Sequence, residues 1–245
     1  MELEAQLLKL WKQAFGEHDG FWELFLETGF SRDRCLYLSQ GQRITAALCW
    51  FDLDVLDQQW AYVYAVVTDP DFRGRGLCRR LFARAEALWH RQGYAGVLLV
   101  PADEGLREMY RKMGYETCTT VSSLTVGAAE VPVSLAPLSP ADYAALRRTL
   151  LPQGAAIQEG ETLSFLAAQA ALYSGSGFLL ACWQEDGTLH AMELLGDTSA
   201  APGIVTALGC KQGIFRIPGP GIPWAMGKKL QNDAPFPTYF GFAFD

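Results

Sequence analysis

The sequence predicts an α/β protein of mixed sheets, arranged as two tandem units. Three observations carry this. A β-rich apolar run over residues 60–67 passes through a glycine turn straight into a helical pattern, Leu77, Leu81, Ala85 and Leu88. Two helical stripes and further strand-type runs precede it, giving helices, antiparallel strands and then β-α-β-α-β. Beyond a proline-punctuated stretch, residues 127–140, a reduced version of the same element order begins again. No residue-level repeat accompanies it, so the tandem reading rests on element order.

In the first unit, Leu3, Leu7, Trp11, Ala14 and Phe15 form a helical stripe, broken by Gly16-Glu17-His18-Asp19-Gly20. Residues 21–30 form a second, aromatic-rich helix. Residues 35–38 read as a strand, turning at Gln40-Gly41-Gln42 into a returning strand over 44–55, and Asp57-Gln58-Gln59 leads into the strand over 60–67. The helix over 76–92 is stopped by Gly93. Val97-Leu98-Leu99-Val100 is a short buried strand ended by Pro101. Leu106, Met109, Tyr110 and Met113 share one face of the next helix, which Gly114 closes. Residues 115–126, rich in Thr and Val, read as the last strand of this unit.

The boundary is placed at 127/128, giving units of 1–127 and 128–245, with a short strand around 131–135 as an option. Ser139-Pro140 provides an N-cap with proline in the first turn for a helix reaching Leu150. A helix over 161–173, a hairpin of 178–183 and 189–195 about Glu185-Asp186-Gly187, and a strand over 204–210 follow. A short helix over 224–230 and a terminal strand over 239–244 complete the reading.

At 245 residues, half of them hydrophobic and 19% charged, the chain has the material for sizeable cores. A net charge of −7 argues against a nucleic-acid binder. Arginines nevertheless gather at 73, 75, 79, 80, 84 and 91, with Glu86 the one acidic residue among them, which suits a local anion site. The six cysteines, at 35, 49, 78, 118, 182 and 210, form no Cys-x-x-Cys pair, and several sit in apolar runs as buried thiols do. An amphipathic N-terminal helix replaces any signal peptide, and no apolar run of about 18 residues offers a membrane span. A reducing, cytoplasmic setting is expected. His18, His90 and His190 have no ligand spacing, so no metal is expected. Gly74-x-Gly76-x-x-Arg79 lacks the third glycine of a dinucleotide fingerprint, and no P-loop occurs.

The centre of the chain is the turn Asp71-Phe72-Arg73-Gly74-Arg75-Gly76-Leu77. Glycines let backbone approach an anion, and the first N–H groups of a helix have no partner within it. This turn, with the later Met109-Tyr110-Arg111-Lys112-Met113-Gly114-Tyr115-Glu116, resembles the GCN5-related N-acetyltransferase (GNAT) family over roughly residues 1–126. More loosely, the whole chain resembles the tandem-domain enhanced-intracellular-survival acetyltransferases, without their third domain. The resemblance implies the acyl-CoA N-acyltransferase fold, with a degenerate second copy, and acetyl-CoA as cosubstrate. Val66, Val67 and Thr68 would line the pantetheine arm. Arg73, Gly74, Arg75, Gly76, Leu77 and Cys78 would hold the pyrophosphate. Cys78 departs from the family's Gly or Ala. A helix N-terminus could lower its pKa, but the small thiol is expected to fit without a catalytic role.

Tyr110 matches the tyrosine that protonates the departing thiolate in family members, and its alternative role is to extend the Leu106–Met109–Met113 face. Asp52, Asp54 and Tyr64 are open candidates for the base, each with a bland reading as an outward polar group or core residue. The looser resemblance implies that Asp245 could serve through the terminal carboxylate. Phe21, Trp22, Phe25, Trp50 and Phe51 form either an acceptor pocket or core. In the second unit the loop 216–223 is taken as the counterpart of the glycine turn, and its three prolines remove N–H donors. That half is therefore expected to bind no CoA and to shape the acceptor cleft or an oligomer contact such as a homodimer's. The expected reaction is direct acetyl transfer to a primary amine of a small molecule or peptide, since no protein nucleophile is evident. The alternatives are a non-catalytic acyl-CoA-binding regulatory protein and a purely structural tandem protein.

Overall fold

The structure is a computed structural model that describes residues 2–16 and 20–243. His18 and Asp245 therefore lie outside the described residues. Helices α1 (Leu3–Phe15) and α2 (Phe21–Thr28) precede the antiparallel strands β1 (Cys35–Gln40), β2 (Arg43–Val55) and β3 (Gln58–Thr68). Then come α3 (Leu77–Arg91), β4 (Gly96–Leu99), α4 (Glu104–Arg111), β5 (Glu116–Thr117) and β6 (Thr120–Gly127). The second half contains β7 (Ala136–Pro137), α5 (Pro140–Leu150), α6 (Glu161–Ala167), β8 (Ala171–Gly175), β9 (Phe178–Glu185) and β10 (Thr188–Gly196). It ends with α7 (Ala201–Ala207), β11 (Gln212–Pro218), β12 (Ile222–Pro223) and β13 (Met226–Lys229).

Two mixed sheets result, in the orders β1-β2-β3-β4-β13-β5 and β12-β6-β11-β10-β9-β8-β7. Each contains one parallel pair joined through a helix: β3 with β4 through α3, and β10 with β11 through α7. Beside each parallel pair lies a strand from the other half of the chain. β13 runs antiparallel to β4, and β6 antiparallel to β11. The single strand expected over 115–126 is therefore two, β5 and β6, one in each sheet.

Four further expectations are corrected. Residues 204–210 are not a strand. Their β-branched run belongs to α7, where Ala201, Ile204 and Val205 are all buried at helical spacing, and the local β preference yields to that packing. Residues 224–230 are not a helix, because β4 offers an open edge on which Met226↔Leu99 to Lys229↔Gly96 pair. The expected terminal strand has no ladder partner over its described part, residues 239–243. That segment is held instead by Gln158, whose Nε2 donates to Phe242 O (2.7 Å) and whose Oε1 accepts from Phe242 N (3.0 Å). The helix expected over 161–173 stops at Ala167, and its last residues open β8.

The largest core spans both halves, with Trp11, Phe25, Phe51, Tyr62, Phe165 and Phe240 all buried. Within it Phe25 packs on Phe165 at 5.2 Å and Tyr62 on Phe240 at 4.8 Å between ring centroids. A second core lies beneath α3, whose Leu81, Phe82, Ala85 and Trp89 pack with Tyr110. The third holds α7 against the second sheet through Ile204 and Val205. Behind the second half's sheet, Arg147 pairs with Glu193 (2.7 Å), both almost fully buried, and Tyr143 and Tyr239 donate to the same carboxylate.

Candidate active site

The glycine turn leaves the end of β3 through a short 3-10 turn, Pro70–Phe72, that Asp69 caps by accepting from Asp71 N (3.1 Å). Arg43 anchors the turn by pairing with Asp69 and Asp71, both at 2.7 Å, and it lies over Phe72, as does Arg75. Arg75 donates to Asp71 O (3.0 Å) and Arg73 to Thr68 O (3.3 Å). Both arginines therefore brace the loop while remaining exposed.

Gly74 (φ 74°) and Gly76 (φ 71°) take left-handed conformations that other residues resist. A Cβ on either would meet open space. Among the described residues, the backbone N–H groups of Gly74 through Arg79 donate to no protein acceptor; the first intrahelical bond is Arg80 N to Gly76 O. Among the helices of eight or more residues, α3 alone has no acidic residue in its first turn. Arg79 and Arg80 stand there instead, against the helix dipole, which is an arrangement that an anion would offset. The turn thus has the geometry and chemistry to cradle a diphosphate.

β3 and β4 pair only from Trp60↔Gly96 to Tyr62↔Leu98 and then part. Opposite β2 the ladder slips between Ala47 and Cys49, so Ala65 and Val66 form a bulge, and Ala65 takes φ 53°. Trp11 Nε1 fixes the bulge by donating to Ala65 O (3.2 Å). From Val63 to Thr68 the β4-facing edge of β3 has no strand neighbour among the described residues, so its backbone can pair with an extended amide chain. In this gap a cavity of about 820 Å³ opens, with Val66 on one wall and Leu99, Leu106 and Tyr110 opposite.

Tyr110, on α4, lines the cavity with 6% exposure and packs on Phe82 (5.5 Å) and Tyr115 (6.0 Å). Its hydroxyl has no protein partner among the described residues. Burial, and secondarily Cys78 nearby, push its pKa well above the ordinary tyrosine value, so it keeps its proton at neutral pH. Its ring thus belongs to the core beneath α3 while the residue also lines the cavity. Cys78 departs from the suggested helix-terminal activation. Burial pushes its thiol up to about 11, the opposite direction.

The candidate bases separate. Asp52 is engaged away from the cavity, accepting from Arg34 (3.0 Å) and from the Tyr94 hydroxyl (2.6 Å). Asp54 bonds backbone to backbone with Ile157 and caps the β2–β3 turn at Asp57 N. Tyr64 does line the cavity. Of the aromatic cluster, Phe21 and Trp22 reach the cavity, whereas Phe25, Trp50 and Phe51 are core.

Sequence reasoning missed Gln169, Trp183, Glu185 and Met192, which reach the cavity from the second half. No local pattern marks them, because their place depends on how the two sheets meet. It also placed the second half's counterpart of the glycine turn wrongly. That counterpart is the β10–α7 connection, where Asp197 Oδ1 accepts from Ser199 N (2.9 Å) and Ser199 Oγ (2.7 Å). Residues 216–223 instead form the end of β11, a turn and β12.

Residues 2–118 match the model of the acetyltransferase (GNAT) domain. Among curated proteins no sequence matches. A GCN5-related N-acetyltransferase from Kribbella flavida superposes with a TM-score of 0.73 at 18% identity, covering 92% of this chain and 68% of its own. Eis1 from Mycobacterium abscessus gives 0.67 at 12% identity, over 93% and 71%. A tandem GNAT protein from the clavulanic acid biosynthesis pathway gives 0.56 at 11% identity, over 94% and 96%. Residues 2–118 thus match the GNAT acetyltransferase domain, and along its length the chain is similar in fold to these solved GNAT structures.

Proposed function

We propose that this protein is an acetyl-CoA-dependent N-acetyltransferase that transfers the acetyl group directly to a primary amine. The observation that carries the reading is the row of unpartnered amides from Gly74 to Arg79, set at the end of the β3 edge that borders the cavity. When bound there, acetyl-CoA supplies the acyl group as a thioester. Gly74 to Cys78 would hold its diphosphate, with Arg73 and Arg75 adding charge, and the edge at Val66, Val67 and Thr68 would pair with its amide arm. Residues 128–245 would take no second copy. At the matching connection the Asp197 carboxylate already occupies the turn's donors, and Pro202 removes another.

Tyr110 holds a proton where the sulfur would depart. As the amine nitrogen bonds to the acyl carbon and the carbon–sulfur bond breaks, Tyr110 passes its proton to sulfur. The amine's proton would go to a base, which we propose is Asp245; the described segment leading to it packs Phe240 against Tyr62 of the cavity wall. Tyr110→Phe retains the ring packing and removes only the donor. It should lower kcat about a hundredfold or more, with the CoA-induced rise in melting temperature intact. An unchanged kcat would remove the acid role. Thiol release from acetyl-CoA across a panel of amines tests the reaction itself, and binding without release to any amine would favour a non-catalytic acyl-CoA-binding protein.

A further inference from the structure

The far wall of the cavity is built largely from the second half. Trp183 and Glu185 come from β9, Met192 from β10 and Gln169 from the segment before β8, and these face Phe21 and Trp22 of α2. Glu185 is the one formally charged residue of the lining, and it forms no ion pair among the described residues. Gln169 donates its Nε2 to Phe165 O (2.9 Å), which leaves Oε1 as its free acceptor. The Trp22 indole N–H is likewise taken, by Gly16 O (3.3 Å). Glu185 and Gln169 therefore offer acceptors, one of them anionic.

A donor-only cation complements such a wall, and an ammonium group is one. Beside the carboxylate stands a large exposed ring. Trp183 and Glu185, two apart on β9, share a face of the strand. Trp183 is 41% exposed and stacks on His190 of β10 at 5.1 Å between centroids and 13° between planes, so its indole is held in place before any ligand arrives. An indole face favours both apolar surface and a cation. The many hydroxyls of an aminosugar would lack partners against this mostly apolar lining, and an acidic peptide would be repelled by Glu185.

We infer that the acceptor is an aralkylamine-type compound, a single ammonium on an apolar, ring-sized body, with the ammonium held by Glu185 and the Gln169 carbonyl and the body lying on Trp183. This rests on the acetyl-transfer reading of the same cavity. Its test uses calorimetric binding to the CoA-loaded protein together with thiol release from acetyl-CoA. The probes are 2-phenylethylamine, 2-phenylethanol (same body, no charge), ethylamine (charge, no body) and kanamycin (charges with many hydroxyls).

2-Phenylethylamine should bind about tenfold or more tightly than either partial mimic. Glu185→Gln should erase its advantage over 2-phenylethanol, while Trp183→Ala should weaken both. Both residues are exposed, so unchanged melting temperatures of the variants establish that they fold. Kanamycin or ethylamine matching 2-phenylethylamine, or Glu185→Gln leaving its affinity unaltered, overturns the inference. Binding is read without turnover, so the two readings fail separately. Ring-amine binding that depends on Glu185, with no thiol released for any amine, leaves this recognition standing and removes the transferase. Thiol release that favours kanamycin does the reverse.

Discussion

Tyr110 shows how packing sets the protonation of a side chain that lines the cavity. Its ring completes the core under α3, and the burial that this requires raises the hydroxyl's pKa, with Cys78 a smaller contributor. The hydroxyl therefore keeps its proton at neutral pH. Cys78 is moved the same way, up to about 11, and so remains a thiol in the working range. It should react with iodoacetamide at pH 7.5 much more slowly than free cysteine, as followed by mass spectrometry; rapid labelling would show an activated thiolate. The place of Tyr110 was legible in the sequence, because helical spacing from Leu106 and the Gly114 stop put it on a defined face of α4. The fate of Asp52 was not, since Arg34 and Tyr94 come from separate elements. Glu185 was legible only as a turn residue.

At the scale of elements, the β3–turn–α3 unit was readable because its signals are local: a strand run, two glycines and a helical stripe. Residues 204–210 and 224–230 were misread because there tertiary pairing decides. β4 accepts β13 as a strand, and buried Ile204 and Val205 draw β-branched residues into α7. The short pairing of β3 and β4 opens at Gly96, where a Cβ would run into the Trp60 ring. Gly96→Ala should cost about 1–3 kcal/mol in urea unfolding through overpacking. No change would mean that Trp60 moves aside freely. In the turn, Gly76→Ala meets no steric neighbour, so its cost comes from φ alone, about 1–2 kcal/mol.

For the whole molecule, the reciprocal exchange of β6 and β13 binds the halves together. Lys228 of β13 reinforces this by reaching Glu86 of α3 (2.7 Å), and Arg34 pairs with Glu161 across the same divide. The tandem order was visible in the sequence, but nothing local reveals that a strand crosses over. Residues 1–127 produced alone would leave the β4 edge bare and β6 without its partner. This fragment should aggregate or lack a cooperative melt; a sharp, monomeric unfolding transition would contradict the exchange. The buried Arg147–Glu193 pair braces the terminal segment through Tyr239, whose hydroxyl lies 3.1 Å from Glu193 Oε1. Glu193→Ala leaves the guanidinium buried without its counter-ion and should cost about 3–5 kcal/mol. A loss below 1 kcal/mol in denaturant unfolding would show that the pair contributes little.

If the amides from Gly74 to Arg79 form an anion cradle open to CoA and the second half has none, each chain binds a single CoA. Calorimetric titration of the whole chain with CoA decides this. Saturable binding of one CoA per chain is expected, weakened about tenfold or more by Gly76→Ala, whose methyl enters the cradle while the fold is retained. No heat at millimolar CoA, two sites per chain, or equal affinity in the variant would contradict it.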